Sequence, residues 1–141
     1  MKTVLVIDDQ RIATKVVGDC MKFLIVDDDK DLLEVLSMIV VSNYNVDIVE
    51  ANNGQNAIDK IKNQGPFDLV ICDYNMPEKN GADVFKELRK ENQATPFLLI
   101  STDIDKFKHQ IPEATNCEFI KKPFTEKELV YKVLTAINQC N

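Results

Sequence analysis

Acidic side chains follow two separate apolar runs of this sequence. Asp27, Asp28 and Asp29 come directly after the run at residues 23–26, and Asp73 comes directly after the run at residues 69–72. Carboxylates that are crowded together raise one another's pKa, unless a hard cation such as Mg²⁺ neutralises them with oxygen ligands. If the two runs are neighbouring strands, the sequence therefore predicts a metal site.

Two further polar side chains follow later apolar runs and add to this chemistry. Ser101 follows residues 97–100, and Lys122 follows the run that begins at Cys117. A carboxylate at such an edge can act as a nucleophile that forms an aspartyl-phosphate, while a lysine and a hydroxyl can hold phosphoryl oxygens. These residue types together favour phosphoryl transfer.

The elements that must position these side chains alternate along the chain. From residue 22 onward, short β-branched runs alternate with amphipathic stretches, which is typical of βαβ units and a parallel sheet. The predicted strands are at residues 23–26, 47–50, 67–72, 96–100 and 117–120. We expect an α/β fold with a doubly wound five-stranded parallel sheet, whose ligands bind beyond the carboxyl ends of the strands. Pro112 predicts that the fourth helix, in residues 103–116, is short or irregular.

Composition excludes several other classes of protein. The 141 residues suit one domain, and a formal net charge of −6 has the wrong sign for binding nucleic acid or an anionic membrane. No apolar run approaches the roughly 18 residues of a membrane helix, and no secretory signal opens the chain, so we expect a cytoplasmic protein. The four cysteines form no Cys-x-x-Cys pair and His109 is the only histidine, which disfavours a zinc site.

Four separated motifs resemble the receiver domain of bacterial two-component response regulators. They are residues 23–29, residues 70–77 with Gly81, residues 98–101 and residues 121–125. The resemblance covers residues 21–141 and implies the flavodoxin-like strand order 2-1-3-4-5.

The resemblance also implies roles for individual residues at the metal site. Asp73 matches the phosphoacceptor, Asp28 matches a direct Mg²⁺ ligand, and Asp27 matches the acidic residue that supports the ion. The backbone carbonyl of Asn75 would complete the protein's share of the ligands.

Three further positions match the switch of the family. Ser101 matches the switch hydroxyl, Phe119 the aromatic switch residue, and Lys122 the lysine that reaches the phosphoryl group. The resemblance further implies a cis peptide bond between Lys122 and Pro123.

The function expected from these matches is that of a phosphoacceptor switch. A histidine kinase or phosphotransfer protein would donate the phosphoryl group to Asp73, and a separate, unidentified protein would receive the signal. Such a chain is not an enzyme acting on a free substrate, because it catalyses only its own phosphorylation and dephosphorylation. One alternative is a phosphorylation-independent interaction module. A haloacid dehalogenase-type phosphatase ranks last, since Asn75 stands where its second aspartate is needed.

Residues 1–20 resemble a truncated duplicate of a receiver start. Residues 4–9 repeat residues 23–28 at an offset of 19, and Ile12 and Val16 have the spacing of a following helix. We expect an extra strand-helix fragment that is an edge strand, a swapped element able to mediate self-association, or a relic of cloning or gene fusion. The second copy should occupy the centre of the sheet, and Asp8 and Asp9 should form no second metal site.

Overall fold

Five parallel strands form the central sheet of the protein in a computed structural model. The structure describes two N-terminal strands, Thr3–Asp8 and Arg11–Val16, and the continuous chain from residue 20 to residue 138. In chain order the elements are β1 (Thr3–Asp8), β2 (Arg11–Val16), β3 (Met21–Val26), α1 (Lys30–Asn43), β4 (Val46–Ala51), α2 (Gly54–Gln64), β5 (Leu69–Asp73), α3 (Gly81–Glu91), β6 (Phe97–Ser101), α4 (Ile104–Gln110), β7 (Cys117–Lys121) and α5 (Glu126–Asn138).

The strand order of the central sheet is β4-β3-β5-β6-β7, and each neighbouring pair is parallel. Counted from Met21, this is the order 2-1-3-4-5, so the predicted flavodoxin-like α/β fold is confirmed. The strand of the second copy, β3, lies between β4 and β5, as expected. None of the helices in the described part of the chain is long and apolar enough to cross a membrane.

The sheet separates two layers of helices, because successive side chains of a strand point to opposite faces. In β3, Phe23 and Ile25 join the core beneath α1 and α5, whereas Leu24 and Val26 join the core beneath α2, α3 and α4. All four side chains are fully buried. A strand covered on both faces requires such a continuous apolar run, which is why β3 was readable from the sequence.

Polar side chains at strand ends begin the helices. Asp29 is the N-cap of α1 and accepts hydrogen bonds from the backbone N–H groups of Asp31 and Leu32. Asp103 is the N-cap of α4 and accepts a hydrogen bond from the backbone N–H of Asp105. Helix α4 has only seven residues and ends two positions before Pro112, so the predicted short helix is confirmed. The peptide bond between Lys122 and Pro123 is cis, which confirms that expectation too.

The N-terminal fragment differs from the expectation in one respect. The strand β1 is present, but the residues expected to begin a helix form the strand β2, which pairs antiparallel with β1 in a separate two-stranded sheet. The prediction of a helix was therefore wrong. A helix of barely two turns is marginal in water, whereas the β-branched residues Ile12, Thr14 and Val16 alternate as a strand requires. Asp9 lies outside the described residues, and the division of the chain at residue 20 stays a prediction.

Candidate functional site

Three carboxylates meet at the carboxyl end of the sheet. Val26 of β3 pairs with Cys72 of β5, so the residues that follow them, Asp27 and Asp73, lie side by side. One carboxylate oxygen from each of Asp27, Asp28 and Asp73 lies within 4.8 Å of the other two. Asp27 and Asp73 are buried, with 1% and 4% of their surfaces exposed, whereas Asp28 is exposed. The predicted acidic cluster is thus formed, with one side open to solvent.

Asp27 carries an oxygen that no other described residue satisfies. Its Oδ1 accepts a hydrogen bond from the backbone N–H of Asp29 at 2.9 Å, while Oδ2 is buried without a hydrogen-bond partner in the described chain. A buried carboxylate oxygen without a partner is costly unless a cation approaches it. Together with the carboxylates of Asp28 and Asp73, it forms a set of oxygen donors that suits a hard divalent cation.

The electrostatics of the cluster favour protonation when no cation is present. Burial raises the pKa of Asp27 to about 6, and the neighbouring Asp73 and Asp28 add to this rise. Burial also raises the pKa of Asp73, although the hydrogen bond from Lys122 opposes the rise. The ionised carboxylates therefore repel one another, and a divalent ion would offset this repulsion.

Lys122 supplies the nearest positive charge among the described residues. Its Nζ lies 2.8 Å from Oδ1 of Asp73. Its backbone N–H donates to the carbonyl oxygen of Ser101 at 2.9 Å, which ties the ends of β6 and β7 together. The lysine is therefore directed at the one carboxylate that the sequence predicts to be the nucleophile.

Ser101 lies at the end of β6 and is buried, with 1% of its surface exposed. Its Oγ accepts a hydrogen bond from the backbone N–H of Asp103 at 3.0 Å. Because Asp103 is the N-cap of α4, the hydroxyl is linked to the start of that helix.

Phe119, the predicted aromatic switch residue, lies on β7, three positions before Lys122. Its half-buried ring packs edge-on against Phe107 of α4, with the ring centroids 5.6 Å apart. Phe107 is fully buried and also packs edge-on against Phe85. Phe119 is therefore brought to α4 rather than into the carboxylate cluster. Asn75 lies exposed in the loop of residues 74–80, which follows Asp73.

The sequence reasoning missed a polar contact beside the cluster. The hydroxyl of Tyr74, the residue after Asp73, donates to Oε1 of Gln110 at the end of α4. The two residues are 36 positions apart, and no local pattern connects them. By contrast, the sequence does carry a signal for the capping role of Asp103, since an aspartate before a helix is a common N-cap.

Comparison with known proteins identifies the family. The family model of the response regulator receiver domain matches residues 23–134. The chain is 34% identical over 114 residues to a transcriptional regulatory protein CpxR homolog of Haemophilus influenzae, covering 79% of this chain and 48% of that protein. It is 33% identical over 122 residues to the transcriptional regulatory protein CusR of Escherichia coli, covering 84% and 52%.

A solved structure agrees with the fold. A response regulator receiver protein from Sinorhizobium medicae superposes with a TM-score of 0.79 at 19% identity, covering 87% of this chain and 98% of that one. The chain spans about half the length of the curated relatives that it matches. It belongs to the response regulator receiver family of two-component systems, whose domains bind a divalent metal at an acidic pocket.

Proposed function

We propose that this member of the receiver family is a phosphoacceptor switch that takes a phosphoryl group from a histidine kinase, or from a phosphotransfer protein, onto Asp73. The observation that carries the proposal is the setting of Asp73. It is a buried carboxylate at the end of a parallel strand, 2.8 Å from the ammonium of Lys122 and grouped with Asp27 and Asp28.

The transfer is a substitution at phosphorus. A carboxylate oxygen of Asp73 forms the new P–O bond, the P–N bond to the donor histidine breaks, and the imidazole nitrogen keeps its electron pair. Lys122 lies where its charge can be shared with the phosphoryl oxygens, and it also holds the carboxylate in place.

Asp27, Asp28, Asp73 and the backbone carbonyl of Asn75 are the groups that we assign to a bound Mg²⁺. When bound, this ion supplies positive charge to the transferring phosphoryl group. The unsatisfied Oδ2 of Asp27 and the raised pKa values of Asp27 and Asp73 support a cation at this place. Oxygen ligands alone, with no histidine or cysteine, favour Mg²⁺ over softer metals.

The response to phosphorylation is assigned to Ser101 and Phe119. A new phosphoryl group offers the Ser101 hydroxyl a charge-assisted hydrogen bond, which competes with its present contact to the backbone N–H of Asp103. A shift of the hydroxyl would alter the start of α4, and Phe119 packs against Phe107 in the middle of that helix. We assign the output of the signal to a separate protein. The same proposal includes a cytoplasmic location and no activity on free substrates.

Intact-mass measurement tests the proposal. The protein is incubated with Mg²⁺ and acetyl phosphate, and we expect it to gain the mass of one phosphoryl group. Asp73→Asn should abolish the gain, whereas Asp47→Asn, which changes an exposed carboxylate on β4, should leave it unchanged. An Asp73→Asn protein that is phosphorylated at the parent rate would overturn the assignment. A parent that never gains the mass would favour the phosphorylation-independent interaction module.

A further inference from the structure

Tyr74 connects the loop after β5 to the far end of α4. Its hydroxyl donates to Oε1 of Gln110, the last residue of α4. Nδ2 of Asn80, the N-cap of α3, donates to the same oxygen at 3.2 Å and lies 3.5 Å from the Tyr74 hydroxyl. We call these three side chains the Tyr74 clasp.

The tyrosine end of the clasp is fixed to the sheet. The backbone N–H of Tyr74 donates to the carbonyl oxygen of Ile100 at 2.9 Å, and its own carbonyl accepts from the N–H of Gly81 at 2.9 Å. The residue is 7% exposed. These two hydrogen bonds tie the residue that follows Asp73 to β6 and to the first residue of α3.

The clasp gives α4 a second tie to the phosphoacceptor edge. At the N-cap, the backbone N–H of Asp103 donates to Oγ of Ser101. At the last residue, Oε1 of Gln110 accepts from the hydroxyl of Tyr74. Between the two ends, Phe107 packs among other aromatic rings. A helix of seven residues has few hydrogen bonds of its own, so its position depends on such anchors.

We propose that the Tyr74 clasp is a second coupling route between the phosphoacceptor and α4, which holds the end of the helix in the unphosphorylated chain and opens on phosphorylation. The proposal rests on the proposed function of Asp73. Tyr74, Asn80 and Gln110 act in it as positioning residues, because they hold α4 and do not touch the transferred group.

Hydrogen exchange of residues 104–110 tests the clasp in the full chain. In the unphosphorylated protein, Tyr74→Phe should speed exchange of this helix by about fivefold, which corresponds to the loss of one net hydrogen bond. Gln110→Ala, at an exposed helix end, should have a similar effect. The double variant should exceed Gln110→Ala by little, because Gln110→Ala already removes the hydrogen bond from Tyr74 together with the one from Asn80.

The phosphorylated state separates coupling from a purely structural role. If the clasp opens on phosphorylation, parent and Tyr74→Phe should exchange at the same rate once acetyl phosphate and Mg²⁺ have phosphorylated both. The matched control is Tyr44→Phe, which removes a tyrosine hydroxyl that donates to the carbonyl oxygen of Val130 at 2.7 Å on the other side of the sheet. It should leave the exchange of α4 unchanged in both states.

Four outcomes would overturn the inference. Equal acceleration by Tyr74→Phe in both states would make the clasp a structural contact only. An equal effect of Tyr44→Phe on α4 would show a loss of global stability. A parent that gains no phosphoryl mass would overturn the proposed function and the coupling with it, whereas a phosphorylated parent with an unresponsive clasp would overturn the coupling alone.

Discussion

The buried carboxylate of Asp27 makes the metal hypothesis measurable as a pH-dependent stability. Asp27 is 1% exposed, and burial raises its pKa from 3.8 to about 6 when no cation is bound. Asp73 and Asp28 contribute to the rise, while the hydrogen bond from the backbone of Asp29 and the charge of Lys122 oppose it. The folded chain therefore binds this proton more tightly than the unfolded chain does.

The sign of the effect follows from that difference. Between pH 3.8 and about 6, the folded state holds more protons on Asp27 than the unfolded state, so the free energy of unfolding falls as pH rises. A shift of about 2 pKa units at about 1.4 kcal/mol each gives a loss of about 3 kcal/mol by pH 7. This loss is complete above the folded pKa.

The change Asp27→Asn removes the titrating group at nearly constant shape. In EDTA at pH 7, we expect the variant to be more stable than the parent by about 1 to 3 kcal/mol, the lower values applying if the new amide N–H groups find no acceptors. Mg²⁺ should favour the parent and offset most or all of this difference in stability. At a concentration of 100 times its Kd it should stabilise the parent by about 2.7 kcal/mol and the variant far less.

Urea unfolding from pH 4 to pH 8, with EDTA and then with Mg²⁺, measures both effects. The quantity of interest is the difference between parent and variant, because it cancels the titration of groups that the two proteins share. Asp47→Asn, an exposed carboxylate, is the control and should follow the parent throughout. Equal stability of parent and Asp27→Asn at pH 7 in EDTA, or equal stabilisation of both by Mg²⁺, would refute the reasoning.

Four further outcomes are expected. Asp28→Ala should weaken Mg²⁺ binding by tenfold or more in an NMR titration, because it removes a carboxylate from an ion with few protein ligands. Ser101→Ala should lose the spectral response of Phe119 to beryllofluoride, since the hydroxyl that would move is gone. Gly81→Ala should lower the free energy of unfolding in urea by about 2 kcal/mol, because its Cβ would lie 3.0 Å from the backbone of β5. Deletion of residues 1–20 should preserve folding and phosphorylation, by circular dichroism and intact mass, and should remove any self-association seen in sedimentation.

Each of these expectations would be contradicted by a specific result. Unchanged affinity in Asp28→Ala would place the ion elsewhere, and a parent-like response at Phe119 in Ser101→Ala would break the link between the two residues. Parent-like stability of Gly81→Ala would show that α3 can move away from β5 at no cost. Unfolding on deletion of residues 1–20 would mean that the first copy is part of the working domain.

The fold was predictable because its signals are local and agree with one another. Strands β3, β5 and β6 each contain a short apolar run followed by a polar residue, and α1 shows helical spacing directly after its N-cap, Asp29. The grouping of Asp27 with Asp73 followed from one rule, that parallel strands bring their carboxyl ends to one edge.

The parts that were not predictable depend on pairings that the pattern of a single segment does not show. Ile12 and Val16 are spaced as on a helix, and with Thr14 they also alternate as on a strand, so the sequence alone is ambiguous there. Pairing with β1 decides the outcome. The bond between Tyr74 and Gln110 has no sequence signal, because it needs the loop after β5 and the end of α4 to be placed first.

The division of the core by the sheet gives the molecule two regions that can be engineered separately. The side of α2, α3 and α4 contains Ser101 and Phe119, the residues assigned to switching, and Phe107, which packs against Phe119. The other layer, of α1 and α5, packs against the opposite face of the sheet. A designer seeking greater heat tolerance should therefore redesign the layer of α1 and α5, and one seeking a different signalling threshold should redesign the layer of α4.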